Sequence, residues 1–196
     1  MQKLVFHPTM GATTIREERR FMNFFAIQIM SGREDAYVEL FSKSRPDLSL
    51  YSIKKKLPSR KKGKPISKVT CVFPGYLFFQ AEDEKPSPEV VSALKRTRNF
   101  MRILPATESI KPLSDRDAEI IRHLLSFGKE IGPSLVMFDE NKRIKVIRGP
   151  MMGMEGLIIK VDKRKKRAKV RLEMNDSPIT FDLAFEILEA VKETRG

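Results

Sequence analysis

The pattern of apolar residues changes once along the chain, and this change limits the fold more than any other feature of the sequence. In the first two thirds of the chain, apolar residues recur at both strand and helix spacing. In the last third they alternate only at the spacing of short strands. Gly128, Gly132 and Pro133 lie between the two patterns and favour a break. The predicted divisions are a first unit at 22–126, a linker at 127–136 and a second unit at 137–194.

The first unit is predicted to follow the order β-α-β-β-β-α-β-α, which is typical of a mostly antiparallel sheet backed by helices. The second unit has several short strands within about 60 residues, which favours a small β-barrel over a sandwich. The chain is therefore predicted to be an α+β protein. Residues 1–21 show no sustained period and no apolar signal sequence, so we expect a flexible N-terminal tail there.

Serine residues mark the expected starts of the three helices. Ser31 and Glu34 have the spacing of a capping box, in which each side chain binds a backbone amide of the first turn. Ser87 precedes Pro88, a residue favoured at the first helical position, and Ser114 precedes the third helix. The sequence predicts these three serines as N-caps.

The positive charge of the chain is concentrated in two short runs. The chain has 38 Lys and Arg against 25 Asp and Glu, a formal net charge of +13. Dense basic runs release counterions when they bind phosphate, so a nucleic acid is the expected partner. The first run comprises Lys54, Lys55, Lys56, Arg60, Lys61, Lys62 and Lys64. The second comprises Lys160, Lys163, Arg164, Lys165, Lys166, Arg167, Lys169 and Arg171.

Several classes of protein are disfavoured by what the sequence contains. Cys71 is the only cysteine, and His7 and His123 are the only histidines, so an intramolecular disulfide and a cysteine-cluster zinc site are excluded. We expect no metal, no cofactor and no enzymatic activity, since no nucleophile–base pair or carboxylate cluster appears. No apolar run reaches the length of a membrane span, which predicts a cytoplasmic protein without membrane contact.

Two motifs carry a resemblance to a known family. Residues 73–79 read FPGYLFF and residues 24–34 read FFAIQIMSGRE; both resemble the N-terminal domain of the NusG family. Residues 144–162, which include Gly149 and Gly156, resemble a KOW motif, in which glycines turn the chain between two strands of an SH3-like barrel. Gly75, in the tight turn before Tyr76, is expected to be structural as well. The basic runs resemble those of specialised paralogs of the LoaP antiterminator type.

The resemblance implies that the first unit binds RNA polymerase, bridging the clamp of the largest subunit and the opposing side of the cleft. Strand alternation places Tyr76 and Phe78 on one face, where they could equally be core residues. The resemblance favours a docking role for them, on a face that the helices leave open. The predicted polymerase-binding residues are Phe73, Tyr76, Phe78, Ser87 and Glu89.

The second unit is implied to bind a hairpin of the nascent RNA through the second basic run, as a monomer that suppresses pausing and termination in specific operons. The first run is a possible nucleic-acid-binding loop that contacts RNA or upstream DNA. Two alternatives remain open. One is a general NusG elongation factor, and the other is a ribosome-associated KOW protein that binds RNA.

Overall fold

The computed structural model describes residues 22–61, 64–175 and 177–188 of the chain, so the predicted tail at 1–21 lies outside the described residues. Its elements in chain order are β1 (Asn23–Ile29), α1 (Glu34–Ser44), β2 (Lys54–Lys61), β3 (Lys64–Cys71), β4 (Tyr76–Ala81), α2 (Pro88–Arg96), β5 (Phe100–Ile103), α3 (Asp115–Ser126), β6 (Glu130–Ile131), β7 (Ser134–Phe138), β8 (Ile144–Arg148), β9 (Ile158–Asp162), β10 (Arg167–Met174) and β11 (Ser177–Ile187). The predicted α+β class and the β-α-β-β-β-α-β-α order up to α3 are confirmed.

Strand β1 is the centre of the N-terminal sheet, which has the order β4-β1-β5 with both pairings antiparallel. One face of this sheet, which we call the first face, carries Phe25, Leu77 and Phe79. These residues are buried in one cluster with residues of α1 and α2. The rings of Phe25 and Phe79 stack with their centroids 5.3 Å apart. The Tyr37 hydroxyl of α1 donates a hydrogen bond to the Leu94 carbonyl of α2 (2.7 Å), which ties the two covering helices together.

The opposite face of the N-terminal sheet is also covered. Phe24, Ala26 and Phe78 lie in a single buried cluster with residues of α3 and of the last five strands. Arg122 of α3 lies over the ring of Phe24, 5.5 Å from its centroid. Both faces of the sheet therefore pack into core, because apolar residues on adjacent positions of β1 point to opposite sides.

Strands β7 to β11 form the C-terminal sheet, in the order β8-β7-β11-β10-β9. The long strand β11 pairs antiparallel with β10 and, at its end, parallel with β7. Residues of β10 and of β11 as far as Leu183 alternate between buried and more exposed positions, as the sequence predicts for strands with one apolar face, whereas Leu183, Ala184 and Phe185 are all buried. A β-rich unit therefore follows the helix-backed sheet, as expected.

Part of the predicted linker 127–136 is paired rather than loose. Strand β6 lies within it and pairs parallel with β2, with Lys54 opposite Glu130 and Lys55 opposite Ile131. Strand β7 begins before the predicted boundary as well. The glycines end α3 as expected, with Gly128 at a φ of +86°, but the chain then joins the β2–β3 hairpin because its next apolar residue, Ile131, is buried there.

The predicted N-caps are right for two helices and wrong for the first. The Ser87 hydroxyl accepts from the Val90 amide (3.4 Å), and the Ser114 hydroxyl accepts from the Asp117 amide (3.2 Å). Helix α1 instead begins after Arg33, which makes no side-chain cap. The Glu34 carboxylate does not close the predicted capping box, because its Oε1 accepts from the amides of Gly32 and Gly75.

The predicted structural glycines differ in what the fold demands of them. Gly149 has a φ of +105°, and a Cβ built there would lie 2.8 Å from the Ser134 Cα. Gly75 has a φ of +82° and a Cβ position 3.2 Å from the Ile29 carbonyl oxygen. Gly156 lies in a 3-10 turn with open space around its Cβ position and no positive φ. Glycine is therefore required at 75 and 149, and the prediction is wrong for Gly156.

Candidate functional site

A buried carboxylate holds the turn that leads into β4. Glu34 is 5 % exposed, and its Oε1 accepts hydrogen bonds from the amides of Gly75 (2.6 Å) and Gly32 (3.0 Å). Hydrogen bonds to an ionised carboxylate are stronger than those between neutral groups, so this contact secures the turn. The Gly75 carbonyl in turn accepts from the Ile29 amide (2.8 Å), which fixes the turn against the end of β1.

This turn positions the aromatic face, which we define as the face of the N-terminal sheet that carries Phe24, Phe73, Tyr76 and Phe78. Phe73 and Phe78 pack edge to face with their ring centroids 5.2 Å apart. The backbone of Phe78 exchanges two hydrogen bonds with Tyr51 (2.7 and 3.1 Å). Tyr76 is half-buried at the border of the same cluster.

The expectation that this face is open is wrong. Phe73 and Phe78 are 1 % and 0 % exposed. Helix α3 covers part of the face through Ile121 and Leu124, and the C-terminal sheet covers another part. The Phe181 ring of β11 packs edge to face against Phe73, with centroids 4.6 Å apart. Alternation along β4 predicts which residues share a face, but it carries no information about a second unit that packs on that face.

Ser87 and Glu89 lie apart from the aromatic face. They begin α2, which covers the first face of the N-terminal sheet. A hydrogen bond with Ser87 lowers the pKa of the Glu89 carboxyl, and the Glu89 side chain is exposed to solvent. The structure therefore does not bring the five predicted polymerase-binding residues into one surface.

Some residues of the second basic run line a common cleft, and others lie outside it. A cleft of about 200 Å³ is lined by Lys160, Asp162, Lys165, Arg167, Lys169 and Asp182. Lys163 turns away, with its Nζ 3.6 Å from the centroid of the Phe138 ring, and Arg171 pairs with Glu173 (3.1 Å).

The turn between β9 and β10 is shaped by Asp162, whose carboxylate accepts from the Lys165 amide (2.8 Å). This hydrogen bond lowers the pKa of Asp162. Arg164 and Lys166 are exposed in that turn.

The first basic run forms the β2–β3 hairpin. Lys54 pairs with Asp35 (2.8 Å) and Lys56 with Glu130 (3.0 Å), while Lys64 is exposed. Lys55 is 6 % exposed, and burial is the main reason that its pKa is lowered to about 8. The side chains of Arg60, Lys61 and Lys62 lie outside the described residues.

Sequence reasoning missed one contact that joins the two basic runs. The Arg167 guanidinium of β10 donates through Nη2 to the Pro58 carbonyl of β2 (2.8 Å), across 109 positions of the chain. The charges of Arg167 and Lys169 lower the pKa of Lys55, and the charge of Asp182 raises it. Both partners of this contact lie within strands. The only sequence signal for it is that each partner lies in a run dense in basic residues.

The described residues contain no group of three or more His, Cys, Asp or Glu side chains that could hold a metal ion. None of their helices is long and apolar enough to cross a membrane. The described part of the chain therefore offers two candidate binding features. One is the covered aromatic face, and the other is the pair of basic runs that touch through Arg167 and the Pro58 carbonyl.

A helix-backed, mostly antiparallel sheet followed by a basic β-rich unit makes this chain an α+β protein of two parts. The family model described as "Transcription termination factor nusG" matches residues 22–122, which is more than half of the chain. The chain belongs to the NusG family.

Known relatives agree with this assignment. The chain is 28% identical over 120 residues to the transcription termination/antitermination protein NusG of Xylella fastidiosa, a match that covers 58% of this chain and 65% of that protein. It is 23% identical over 163 residues to the protein of the same name from Pseudomonas aeruginosa, covering 83% of this chain and 85% of the relative. A solved structure described as "Domain interaction in Thermotoga maritima NusG" shares the fold, with a TM-score of 0.51 at 18% identity over 83% of this chain and 93% of that one.

Proposed function

We propose that this chain is a monomeric, cytoplasmic transcription elongation and antitermination factor of the specialised LoaP type. It binds RNA polymerase through the aromatic face and a nascent RNA hairpin through its basic runs, and so suppresses pausing and termination in specific operons. The observation that carries the proposal is the aromatic face, where Phe73 packs both against Phe78 of its own unit and against Phe181 of a separate sheet. Aromatic clusters of this kind are typical centres of protein interfaces.

Binding of polymerase to this face requires the C-terminal sheet to move away. In the arrangement described above, which we call closed, Phe181 occupies the surface of Phe73. The clamp of the largest polymerase subunit would take the place of Phe181, and the start of α2 with Ser87 and Glu89 would contact the opposing side of the cleft. A ligand that binds only the open arrangement shifts the population toward it.

RNA binding rests on the cations that line the cleft beside β10. Lys160, Arg167 and Lys169 lie there without an interleaved aromatic side chain. Single-stranded nucleic acids are usually held by stacking on aromatic residues, whereas double-stranded RNA is recognised through its phosphates and shape. The composition of this surface therefore favours an RNA duplex such as a hairpin stem.

A termination assay with purified RNA polymerase tests the function directly. A template that carries the cognate leader hairpin upstream of a terminator should give more read-through transcript when the protein is added. The same template without the leader should respond weakly. Read-through on both templates alike would assign the protein to the general elongation factors. Co-purification with ribosomes instead of polymerase would assign it to the ribosome-associated KOW proteins.

Charge reversal separates RNA binding from polymerase binding. The triple variant Lys165→Glu, Lys166→Glu, Arg167→Glu should bind the leader hairpin more weakly and bind polymerase as well as the unchanged protein does. Lys95→Glu on α2 is the control, because Lys95 is an exposed cation on the opposite side of the N-terminal sheet. Unchanged hairpin affinity in the triple variant would refute the assignment of the second basic run to RNA.

A further inference from the structure

The side chain of Arg167 belongs to the basic cleft and also contacts the first unit. It lines the cleft beside β10 together with Lys160 and Lys169. Its Nη2 donates a hydrogen bond to the Pro58 carbonyl of β2 (2.8 Å). Strand β11 also packs beside β2, so this hydrogen bond lies on the border between the two units. One guanidinium group is therefore both a candidate RNA contact and a contact that exists only in the closed arrangement.

The contact with Pro58 uses only half of one edge of the guanidinium group. Nε and Nη2 of an arginine point their hydrogens from the same edge, in the spacing of two parallel hydrogen bonds. Nε of Arg167 is buried and has no hydrogen-bond partner in the described part of the chain. A single carbonyl oxygen satisfies one donor of this edge, whereas a phosphate presents two oxygens and satisfies both.

The Pro58 carbonyl accepts this hydrogen bond because it lies on an edge of its sheet. The order of that sheet is β3-β2-β6, and β6 pairs with β2 only at Lys54 and Lys55. Past Lys55, the described residues provide no strand on that side of β2. Proline also has no amide hydrogen with which to pair a further strand. The Arg167 guanidinium occupies this edge instead of a strand.

The surroundings of Arg167 favour an anion as its better partner. The Asp162 carboxylate accepts from the Lys165 amide (2.8 Å), and Asp182 lies 3.9 Å from the Lys169 Nζ. Neither acid bonds the buried Nε. The closed arrangement also brings the charges of Arg167 and Lys169 to bear on Lys55, which is only 6 % exposed. A phosphate in the cleft would satisfy the free donor and neutralise this concentration of positive charge.

We propose that the Nε–Nη2 edge of Arg167 binds a phosphate of the RNA hairpin stem, and that the closed arrangement blocks this edge, so that RNA binding there displaces Pro58 and favours the open arrangement. A phosphate cannot use both donors while Pro58 holds Nη2 and Nε is buried between the units. This inference rests on the proposed function and adds the step by which the hairpin exposes the aromatic face.

Arg167 contributes little to closure itself. Its hydrogen bond to Pro58 stabilises the closed arrangement, but the buried and unpaired Nε opposes that gain. Other contacts hold the units together. The Phe181 ring packs on Phe73, and the Asn175 side chain donates to the Lys111 carbonyl (3.3 Å). Loss of Arg167 should therefore leave the free protein closed and remove its response to RNA.

The direction of the coupling follows from linkage. Polymerase binds the open arrangement, because Phe73 and Phe78 are covered in the closed one. The RNA hairpin also binds the open arrangement more tightly, because only there is the whole edge of Arg167 available. Each ligand must therefore raise the affinity for the other by the same factor. Both can then be bound at once, as the proposed function requires.

Hydroxyl-radical footprinting, read by mass spectrometry, tests whether RNA opens the protein. The probe is an RNA hairpin with a stem of about 16 base pairs, the length that one small domain spans on duplex RNA. Phe73 and Phe181, which are 1 % and 3 % exposed, should be oxidised several-fold faster when the hairpin is bound. Phe25 and Phe79 are internal controls, because they are buried on the first face, under α1 and α2, and their oxidation rates should not change.

Two matched variants separate the effect of Arg167 from that of charge alone. Arg167→Ala and Lys160→Ala each remove one cation from the cleft, and each should lower the dependence of log affinity on log salt by about 1. At saturating hairpin, Lys160→Ala should show the same faster oxidation of Phe73 as the unchanged protein. Arg167→Ala should bind the hairpin through the remaining cations without any change in the oxidation of Phe73.

The outcomes distinguish this inference from the proposed function. If the hairpin binds and the oxidation of Phe73 stays the same or slows, the inference is wrong and RNA binding by the second basic run is retained. A response that persists in Arg167→Ala, or is lost in Lys160→Ala, also overturns it. If the unchanged protein does not bind the hairpin, the RNA part of the proposed function fails together with the inference.

Binding to purified RNA polymerase provides the second measurement. The apparent affinity of the unchanged protein for polymerase should rise several-fold when the hairpin is added. The affinity of Arg167→Ala should be the same with and without the hairpin. An affinity of the unchanged protein that falls or stays constant on addition of the hairpin would overturn the inference, because the two ligands would then not share the open arrangement.

Discussion

Replacing Lys55 with methionine should stabilise the protein at neutral pH. Burial lowers the pKa of Lys55 from 10.5 to about 8; among the charges around it, Asp182 opposes this, and Arg167 and Lys169 add to it. The unfolded chain therefore binds this proton more tightly than the folded chain does. Below pH 8 both states are protonated, and the cost of burying the charge is present in full. Between about pH 8 and 10.5 that cost is relieved, and the free energy of unfolding rises with pH.

The magnitude follows from the lowered pKa. Each pKa unit corresponds to about 1.4 kcal/mol, so the buried charge costs about 3 kcal/mol at pH 7. Lys55→Met keeps an unbranched apolar stem in the same space and removes the charge. The variant should be up to about 3 kcal/mol more stable than the unchanged protein at pH 7. The difference should shrink toward zero near pH 10.5.

Urea denaturation at a series of pH values measures this difference. Lys56→Met is the matched control, because Lys56 is the next residue of β2 and forms an exposed ion pair with Glu130. Its change in the free energy of unfolding should stay within about 1 kcal/mol. The reasoning about Lys55 is refuted if Lys55→Met destabilises the protein at pH 7. It is equally refuted if the difference from the unchanged protein is the same at pH 7 and pH 10.

Three further predictions concern the core and its turns, and each is measured by urea denaturation. Glu34→Ala should lower the free energy of unfolding by about 2 kcal/mol, since it leaves the buried amide of Gly75 without its acceptor; no change would show that water replaces the carboxylate. Gly149→Ala should cost about 2 kcal/mol through its positive φ and close backbone contact, whereas Gly156→Ala, in open space, should cost less than about 1 kcal/mol; equal effects would contradict the geometry. Phe181→Ala should cost about 3 kcal/mol, and a near-neutral result would show that the C-terminal sheet does not pack on the aromatic face.

Features that depend on neighbouring residues were readable from the sequence. The strand and helix order of the first unit follows from apolar spacing and is confirmed up to α3. The N-caps Ser87 and Ser114 are confirmed because each hydroxyl needs only an amide three residues further along the chain. The distribution of charge into two runs is likewise a property of the sequence alone, as is the alternation that places Tyr76 and Phe78 on one face of β4.

Features that depend on distant partners were decided by the tertiary structure. Glu34 does not complete the predicted capping box because the Gly75 amide, 41 positions away, binds its carboxylate instead. Alternation cannot tell whether a second unit packs on the aromatic face, and the contact of Phe73 with Phe181 decides that it is covered. The meeting of the two basic runs at Arg167 and Pro58 has the same origin. Local spacing determines which way a side chain points, and only the packing of remote segments determines what it meets.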